Sequence, residues 1–177
     1  MLYIIIDLEA TCWKNVMDFS IMEIIEIGAV KLDCDTLEVI SEFPRFVRPV
    51  VNPLLSDFCK ELTSITQKEI DEAETFNIIF PQLLEWIGDE DYKLVTWGNY
   101  DPKQFEIDCR RHNIDLPEKF ENRHINLKKE FAKQKQCRPC GMKQALRILK
   151  IPLEGTHHRG IDDARNIAKI AQQISLA

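Results

Sequence analysis

Near its N-terminus the chain reads Tyr3-Ile4-Ile5-Ile6-Asp7-Leu8-Glu9. The isoleucine-rich part of this stretch is typical of a strand buried within a sheet. Asp7 and Glu9 alternate with Leu8, so both carboxylates point to one face of the predicted strand. Two carboxylates side by side repel each other unless a cation lies between them. Taken alone, the pair is equally compatible with a metal site and with a solvated strand end.

Four further strands are predicted downstream. Those over 21–32 and 38–47 are separated by a short polar turn, Asp33-Cys34-Asp35-Thr36, which favours a hairpin. The other two cover 93–97 and 123–127. A short helix or turn is predicted at 54–62 and a capped helical turn at 66–69, and apolar spacing predicts helices over 75–88, 100–113, 126–134, 141–149 and 161–174. This order predicts one α/β domain, a mixed sheet with helices on its faces.

The composition is ordinary for a globular protein, with 45% apolar and 29% charged residues among 177. The net charge of −6 excludes a polycation that binds nucleic acid with its whole surface. Any such binding needs a local patch or metal ions. No apolar run approaches the roughly 18 to 20 residues that span a bilayer, and Met1 leads into no signal-peptide pattern. We therefore expect no membrane association, reduced cysteines and a cytoplasmic location.

A second group of reactive side chains lies far along the chain, in His157-His158-Arg159-Gly160-Ile161-Asp162-Asp163-Ala164-Arg165-Asn166. Asp162 and Asp163 fall in the first turn of the predicted last helix, where the helix dipole favours acids. His158 stands five residues before Asp163. Each residue also has an ordinary interpretation as a capping acid or a loop histidine. Asp162 competes with Asp163 for a metal role, and His157 competes with His158.

Two more acids are ambiguous in the sequence. Asp101 follows the strand at 93–97 and precedes Pro102, which is typical of an N-cap aspartate with proline at the first helical position. Active sites also collect at the ends of such elements, so Asp101 is a candidate metal ligand. Glu26 lies on the second predicted strand. We expect it to face solvent, with a place behind the metal ligands as the alternative.

Together these motifs resemble the DEDDh branch of the DnaQ-like 3′–5′ exonuclease superfamily. The likeness rests on Asp7-Leu8-Glu9-Ala10-Thr11, on Asp101 after a strand, and on His158 with Asp163. Three further stretches resemble the Eri-type exoribonucleases within that branch: Met22-Glu23-Ile24-Ile25-Glu26-Ile27-Gly28-Ala29, Glu61-Leu62-Thr63-Ser64-Ile65-Thr66 and residues 157–168. The resemblance covers essentially the whole chain. It implies one exonuclease domain over 1–177 with a ribonuclease H-like α/β fold, a mixed five-stranded sheet flanked by helices on both faces.

The resemblance also implies the chemistry. Asp7, Glu9, Asp101 and Asp163 would hold two Mg²⁺ or Mn²⁺ ions, which prefer oxygen ligands, and His158 would be the general base. The reaction would be hydrolysis from the 3′ end of single-stranded nucleic acid, RNA rather than DNA, releasing nucleoside 5′-monophosphates. Two alternatives stay open. One is a DNA-directed proofreading-type exonuclease or polymerase-associated subunit, and the other is a non-catalytic nucleic-acid-binding module, for which a missing catalytic residue is expected.

Seven residues are predicted to contact the nucleotide: Ala10, Thr11, Cys12, Met22, Leu62, Trp97 and Tyr100. The first three follow the metal pair and offer backbone N–H groups and the Thr11 hydroxyl. By the family analogy, Met22 and Leu62 would wedge the terminal base. A base could stack on Trp97 or Tyr100, although packing against the core explains both rings equally well.

The segment 127–152 is strongly basic, with eight Lys or Arg residues and one acid, Glu130. Such a local charge in an acidic chain predicts a surface that follows phosphates, with Lys128 and Lys129 as contacts. A solvated lysine-rich helical face is the alternative.

The same segment contains the CxxC motif Cys137-Arg138-Pro139-Cys140. A structural zinc site needs four ligands, and no second cysteine pair is present, although His124 could contribute. We therefore favour a loop with incidental thiols over a zinc site or a redox pair.

Overall fold

The structure, a computed structural model, describes residues 1–176, with Glu121 described by its backbone alone. The strands are β1 (Leu2–Ala10), β2 (Ile24–Asp33), β3 (Val39–Phe46), β4 (Tyr92–Thr96) and β5 (His124–Asn126). The helices of the described residues are α1 (Asp57–Thr63), α2 (Gln67–Asp71), α3 (Phe76–Ile87), α4 (Tyr100–Arg111), α5 (Lys119–Asn122), α6 (Leu127–Gln134), α7 (Met142–Leu149) and α8 (Gly160–Ala171). None of these helices is long and apolar enough to cross a bilayer.

The strands form one mixed sheet in the order β3-β2-β1-β4-β5. β2 is antiparallel to both β1 and β3, as expected for a hairpin whose turn is held by Asp33. The Asp33 carboxylate accepts the backbone N–H groups of Asp35 and Thr36, each at 2.8 Å. β4 runs parallel to β1, and β5 runs parallel to β4. The C-terminal ends of β1 and β4 therefore lie at the same edge, which brings Asp7 and Glu9 close to the start of α4.

β1 is buried on both faces because its apolar side chains alternate between two cores. Ile4, Ile6 and Leu8 pack in one core with α3 and α4. Tyr3 and Ile5 pack in the other with α6, α7 and α8. Asp7 and Glu9 continue this second row, since residues two apart on a strand share a face. The carboxylates therefore point to the side of the sheet that α8 covers.

The start of α8 contacts β2 backbone to backbone. Gly28 lies opposite Asp7 in the β1–β2 register. A Cβ atom added at Gly28 would lie 2.0 Å from the carbonyl carbon of Gly160, a distance that no packed side chain reaches. Only glycine fits at this position. The contact fixes the first turn of α8 beside the C-terminal half of β1.

The helix ends follow local capping, which explains where the predicted boundaries hold and where they move. Thr66 and Glu69 form the predicted capping box of α2. α3 has Thr75 as its N-cap and Gly88 as its C-cap, close to the predicted 75–88. α1 begins only at Asp57, after the predicted residue 54, because the Ser56 side chain caps it by accepting the N–H of Cys59.

Candidate active site

Asp7 and Glu9 lie at the bottom of a cleft of about 830 Å³. Asp7 is half-buried, and the Glu9 residue is 9% exposed. The cleft opens at the edge of the sheet where β1 and β4 end, and Asp101, Asp163 and His158 also line it. Residues from three distant parts of the sequence thus meet in one cavity.

Asp163 completes a compact carboxylate cluster. It lies in the first turn of α8 and is 4% exposed. One ligand oxygen from each of Asp7, Glu9 and Asp163 falls within 4.8 Å of the others. The Asp163 carboxylate also accepts the backbone N–H of His158 at 2.9 Å, which ties the loop before α8 to the cluster.

Asp101 lies beside this cluster, but it is not the N-cap of α4. The N-cap is Asn99, and Asp101 is inside the first turn. Its Oδ1 accepts the backbone N–H of Leu8 at 3.0 Å, so the side chain turns back toward β1 and is buried. The interpretation of Asp101 as a simple N-cap is therefore wrong. The residue fixes the start of α4 against the strand that carries Asp7 and Glu9.

The carboxylates destabilise one another in the ionised form. Burial raises the pKa of Asp7 well above its usual range, and the charges of Asp101, Glu9 and Asp163 raise it further. Burial, followed by the charges of Asp163 and Glu26, raises the pKa of Glu9. Burial also raises the pKa of Asp101 to about 7, against the hydrogen bond from Leu8.

No Lys or Arg among the described residues forms an ion pair with Asp7, Glu9 or Asp101. A buried group of acids without a cationic partner takes up protons or metal ions. Carboxylate oxygens are the ligands that Mg²⁺ and Mn²⁺ prefer. This donor set therefore fits hard divalent cations.

The two adjacent histidines have different environments. Nδ1 of His157 lies 2.9 Å from an Asp163 oxygen, so this ring is held by the carboxylate. The His158 ring stacks on it with centroids 3.9 Å apart, and its nitrogens have no hydrogen bond within the described residues. Burial lowers the pKa of His158, and the charges of His157 and Lys143 lower it further, while Asp163 opposes them. The His158 ring is thus neutral near pH 7 and lines the cleft with a free acceptor.

His158 also has an unusual backbone conformation, with φ of 65°. Non-glycine residues seldom adopt this left-handed conformation, which costs on the order of 1 kcal/mol and is found at functional sites. The loop from His157 to Gly160 is held by Glu26, whose Oε2 accepts the Gly160 N–H at 2.9 Å and the Arg159 Nε–H at 3.1 Å. Glu26 is 2% exposed, so the expectation that it faces solvent is wrong.

Asp162 lies outside the carboxylate cluster. Its carboxylate accepts the Thr156 N–H at 2.8 Å and pairs with Nη1 of Arg165 at 3.1 Å. It therefore stabilises the loop before α8. The neighbouring acid Asp163, one residue on, is the one that points to β1.

Six of the seven predicted nucleotide contacts line the cleft: Ala10, Cys12, Met22, Leu62, Trp97 and Tyr100. Trp97 also packs on Phe131, and its indole N–H donates to the Cys140 carbonyl at 3.1 Å. Thr11 does not line the cleft. Its backbone N–H donates to the Glu23 carbonyl and its hydroxyl accepts the Glu23 N–H, so these groups hold the β1–β2 connection together.

Lys128 and Lys129, on α6, are not among the described residues that line the cleft, but Lys143 at the start of α7 is. Lys143 was not predicted as a site residue, and neither was the apolar loop around Trp13, Val16 and Met17 that forms another part of the lining. The position of this loop, directly after the metal pair, could have indicated that it lines the cleft. For Lys143 the sequence offers no such indication beyond its place in the basic segment.

The CxxC motif shows no sign of a metal site within the described residues. Cys137 and Cys140 are half-buried against the core beneath α8, and both are free thiols. Nε2 of His124 lies 2.8 Å from the Thr96 hydroxyl. The candidate metal groups of the described residues contain only His157, His158, Asp7, Glu9 and Asp163.

A mixed sheet with Asp7, Glu9, Asp101, Asp163 and a histidine at one edge is the arrangement of the DEDDh nuclease class. The chain belongs to the RNase_T exonuclease family, whose sequence model matches residues 4–171. The identification as a DEDDh exonuclease with an Eri-type likeness is therefore confirmed, as is the ribonuclease H-like fold.

Individual relatives agree with this assignment. The chain is 35% identical to human 3′-5′ exoribonuclease 1 over 176 residues, which cover 94% of this chain and 50% of the relative. It is 35% identical to ERI1 exoribonuclease 2 of Xenopus laevis over 193 residues, covering 97% and 28% of the two chains. The nuclease domain of 3′hExo, a DEDDh family member solved with bound rAMP, is 34% identical, with a TM-score of 0.91 and 97% and 90% of the chains covered. The chain thus spans about a quarter to a half of the length of these two curated relatives.

Proposed function

We propose that this chain is a metal-dependent 3′–5′ exonuclease that hydrolyses single-stranded nucleic acid, RNA in preference to DNA, and releases nucleoside 5′-monophosphates. The observation that carries the proposal is the cluster of Asp7, Glu9 and Asp163 oxygens within 4.8 Å of one another, in a cleft that His158 also lines. Membership of the exonuclease family supports the same reaction.

The four acids would hold the metal ions, which we propose are two Mg²⁺ or Mn²⁺. When bound, such ions supply electrostatic stabilisation of the charge that develops on the phosphate and leaving oxygens. The chain's own contribution is preorganisation. The N–H groups of Leu8 and His158 fix Asp101 and Asp163, so the ligand oxygens need little reorganisation.

His158 would accept the proton of the attacking water. A general base needs a free acceptor nitrogen that reaches the reacting group, and the His158 ring lines the cleft without a hydrogen bond to other described residues. Nδ1 of His157 is occupied by Asp163, so that ring would instead stabilise the ligand.

The preference for RNA rests on the relatives. The related 3′hExo nuclease domain was solved with rAMP, and a related 3′-exonuclease, 32% identical, with a histone mRNA stem-loop. In this chain the apolar side chains of Met22, Leu62 and Trp97 offer surface on which a terminal base can pack. We further propose that residues 1–177 form one exonuclease domain, because the cores on both faces pack on one sheet. The cytoplasmic location stays a prediction.

One experiment tests the activity and the alternatives together. Single-stranded RNA, single-stranded DNA and a stem-loop RNA, each labelled at the 5′ end, are incubated with Mg²⁺, Mn²⁺ or EDTA. We expect metal-dependent shortening from the 3′ end, release of nucleoside 5′-monophosphates, and faster cleavage of RNA. Faster cleavage of DNA would favour the proofreading-type alternative. Binding without hydrolysis of any substrate would overturn the proposal in favour of a non-catalytic module.

A further inference from the structure

The basic side chains of this chain fall into two groups. Every ion pair that Lys or Arg forms with an acid among residues 1–176 lies outside the segment 128–150. The eight Lys and Arg residues within the segment form none with the described residues, and seven of the eight are exposed. Their charge is therefore available to an external anion.

Lys143 connects this charge to the cleft. It lies in the first turn of α7 and is the one Lys or Arg among the described residues that line the cleft. His158 and the carboxylates line the same cleft as Lys143. Arg147 follows one helical turn later on the same face, and side chains on a helix lean toward its N-terminus. The two cations thus form a row that starts at the cleft and leads away from it.

The helix that carries Lys143 and Arg147 is anchored to the core. Met142 and Leu146 are buried against the core beneath α8, and the Cys140 carbonyl before α7 accepts the indole N–H of Trp97. The side of the cleft formed by the loop from Cys12 to Met22 is different, because Trp13, Met17 and Met22 line it without a cation. That side suits bases, whereas the α7 side suits phosphates.

We propose that Lys143 and Arg147 form a phosphate track for the strand on the 5′ side of the cleaved bond, so that the preferred substrate is a strand of several nucleotides rather than a dinucleotide. The inference rests on the proposed function, because it takes the 3′ end to lie at the carboxylates. The remainder of the strand must leave the cleft, and α7 is where the cleft lining carries positive charge.

The test compares RNA oligonucleotides of 2, 4, 8 and 12 residues at several salt concentrations. For the 12-mer we expect Lys143→Ala to raise KM about tenfold, the loss of one charge-assisted contact, and Arg147→Ala to raise it several-fold. Each substitution should lower the slope of log KM against log salt by about 0.7, and the rise in KM should be smaller for the dinucleotide. Lys68→Ala removes an exposed cation on α2 and serves as the matched control, with no change in KM.

Two outcomes overturn the track. One is an unchanged KM of both variants for the 12-mer, and the other is an equal rise for every length. Lys143→Gln and melting curves separate loss of charge from loss of folding. If the wild-type chain cleaves no oligonucleotide, the proposed function fails by itself. Binding of a fluorescent 12-mer then still tests the track, and equal affinities of wild type and both variants overturn it.

Discussion

The floor of the cleft, formed by Asp7, Glu9, Asp101 and Asp163, is negatively charged, whereas its α7 wall carries the positive charge of Lys143. The two regions differ in how far their charged side chains are buried and hydrogen-bonded. The floor carboxylates of Asp101 and Asp163 are buried and each accepts a backbone N–H. On α7, Lys143 of the cleft wall and Arg147 one turn beyond it are exposed, and neither has an acidic partner among the described residues. Buried, hydrogen-bonded charges suit chemistry that needs one geometry, whereas exposed, unpaired charges suit contacts to the phosphates of a strand. Substitutions in the floor should therefore change kcat, and substitutions in the wall should change KM.

Asp7→Asn is the most severe test of the floor. It removes one charge from the centre of the carboxylate cluster, so we expect kcat to fall about 10⁴-fold through loss of metal-dependent stabilisation of the transition state. We expect Mg²⁺ to raise the Tm of the wild-type chain, because the ion binds the folded state. Asp7→Asn should lose this rise. Asp162→Asn is the matched control, since that acid lies outside the carboxylate cluster and binds Thr156 and Arg165, and kcat should stay within about tenfold of wild type. Wild-type turnover by Asp7→Asn would contradict the metal site.

His158→Asn separates proton transfer from metal binding. Asparagine tolerates the left-handed backbone of this position, so the loop should keep its shape. We expect kcat to fall about 10²- to 10³-fold, while the Mg²⁺-induced rise in Tm remains. His157→Asn should cost less, because that ring only supports Asp163. If His157→Asn proved the more damaging of the two, the role of general base would move to His157.

The smallest expected effect is on the pH dependence of stability without metal. Asp101 has a folded pKa of about 7 against an ordinary value of 3.8, so between these values the folded chain holds more protons than the unfolded chain. Stability therefore falls as pH rises through this window, and Asp7 and Glu9 act in the same direction.

In EDTA we expect Tm to be roughly 5 °C higher at pH 5.5 than at pH 8. Mg²⁺ should raise Tm more at pH 8, because protons and metal compete for the same oxygens. Asp101→Asn should flatten the profile in EDTA. A wild-type Tm in EDTA that rises from pH 5.5 to pH 8 would show that the floor carboxylates are not strained.

The sequence predicted the order and type of the strands because their patterns are local. The run from Tyr3 to Glu9 is apolar enough for a central strand, and the turn at Asp33 implies a hairpin. The site acids were also recoverable, since their spacing matches a known family. The failures at the site were long-range. The pattern around Glu26 is compatible with either face of its strand, because its partners Arg159 and Gly160 lie 133 and 134 residues further along the chain.

Thr11 and Lys143 show that local patterns do not determine which residues line the cleft. Thr11 was predicted to contact the nucleotide but does not line the cleft, and Lys143 lines it but was not predicted. Thr11 follows the metal pair directly, yet its hydrogen bonds go to Glu23 across the β1–β2 connection, which spacing does not reveal. Lys143 resembles every other lysine of the basic segment until α7 docks beside Trp97. Which lysine of a charged segment enters a cleft depends on the packing of helices, and no local pattern encodes that.

The contact between Gly28 and Gly160 has a consequence for the order in which the site is assembled. β1 and β2 can pair once residues 1–33 have been synthesised. Asp163 lies beside Asp7 only after the start of α8 has packed against Gly28. A fragment that ends before residue 157 contains every strand of the sheet and lacks both His158 and Asp163. Under the proposed function such a fragment would be inactive, because two of the five site residues are missing and no α8 packs on Gly28 to place an acid beside Asp7.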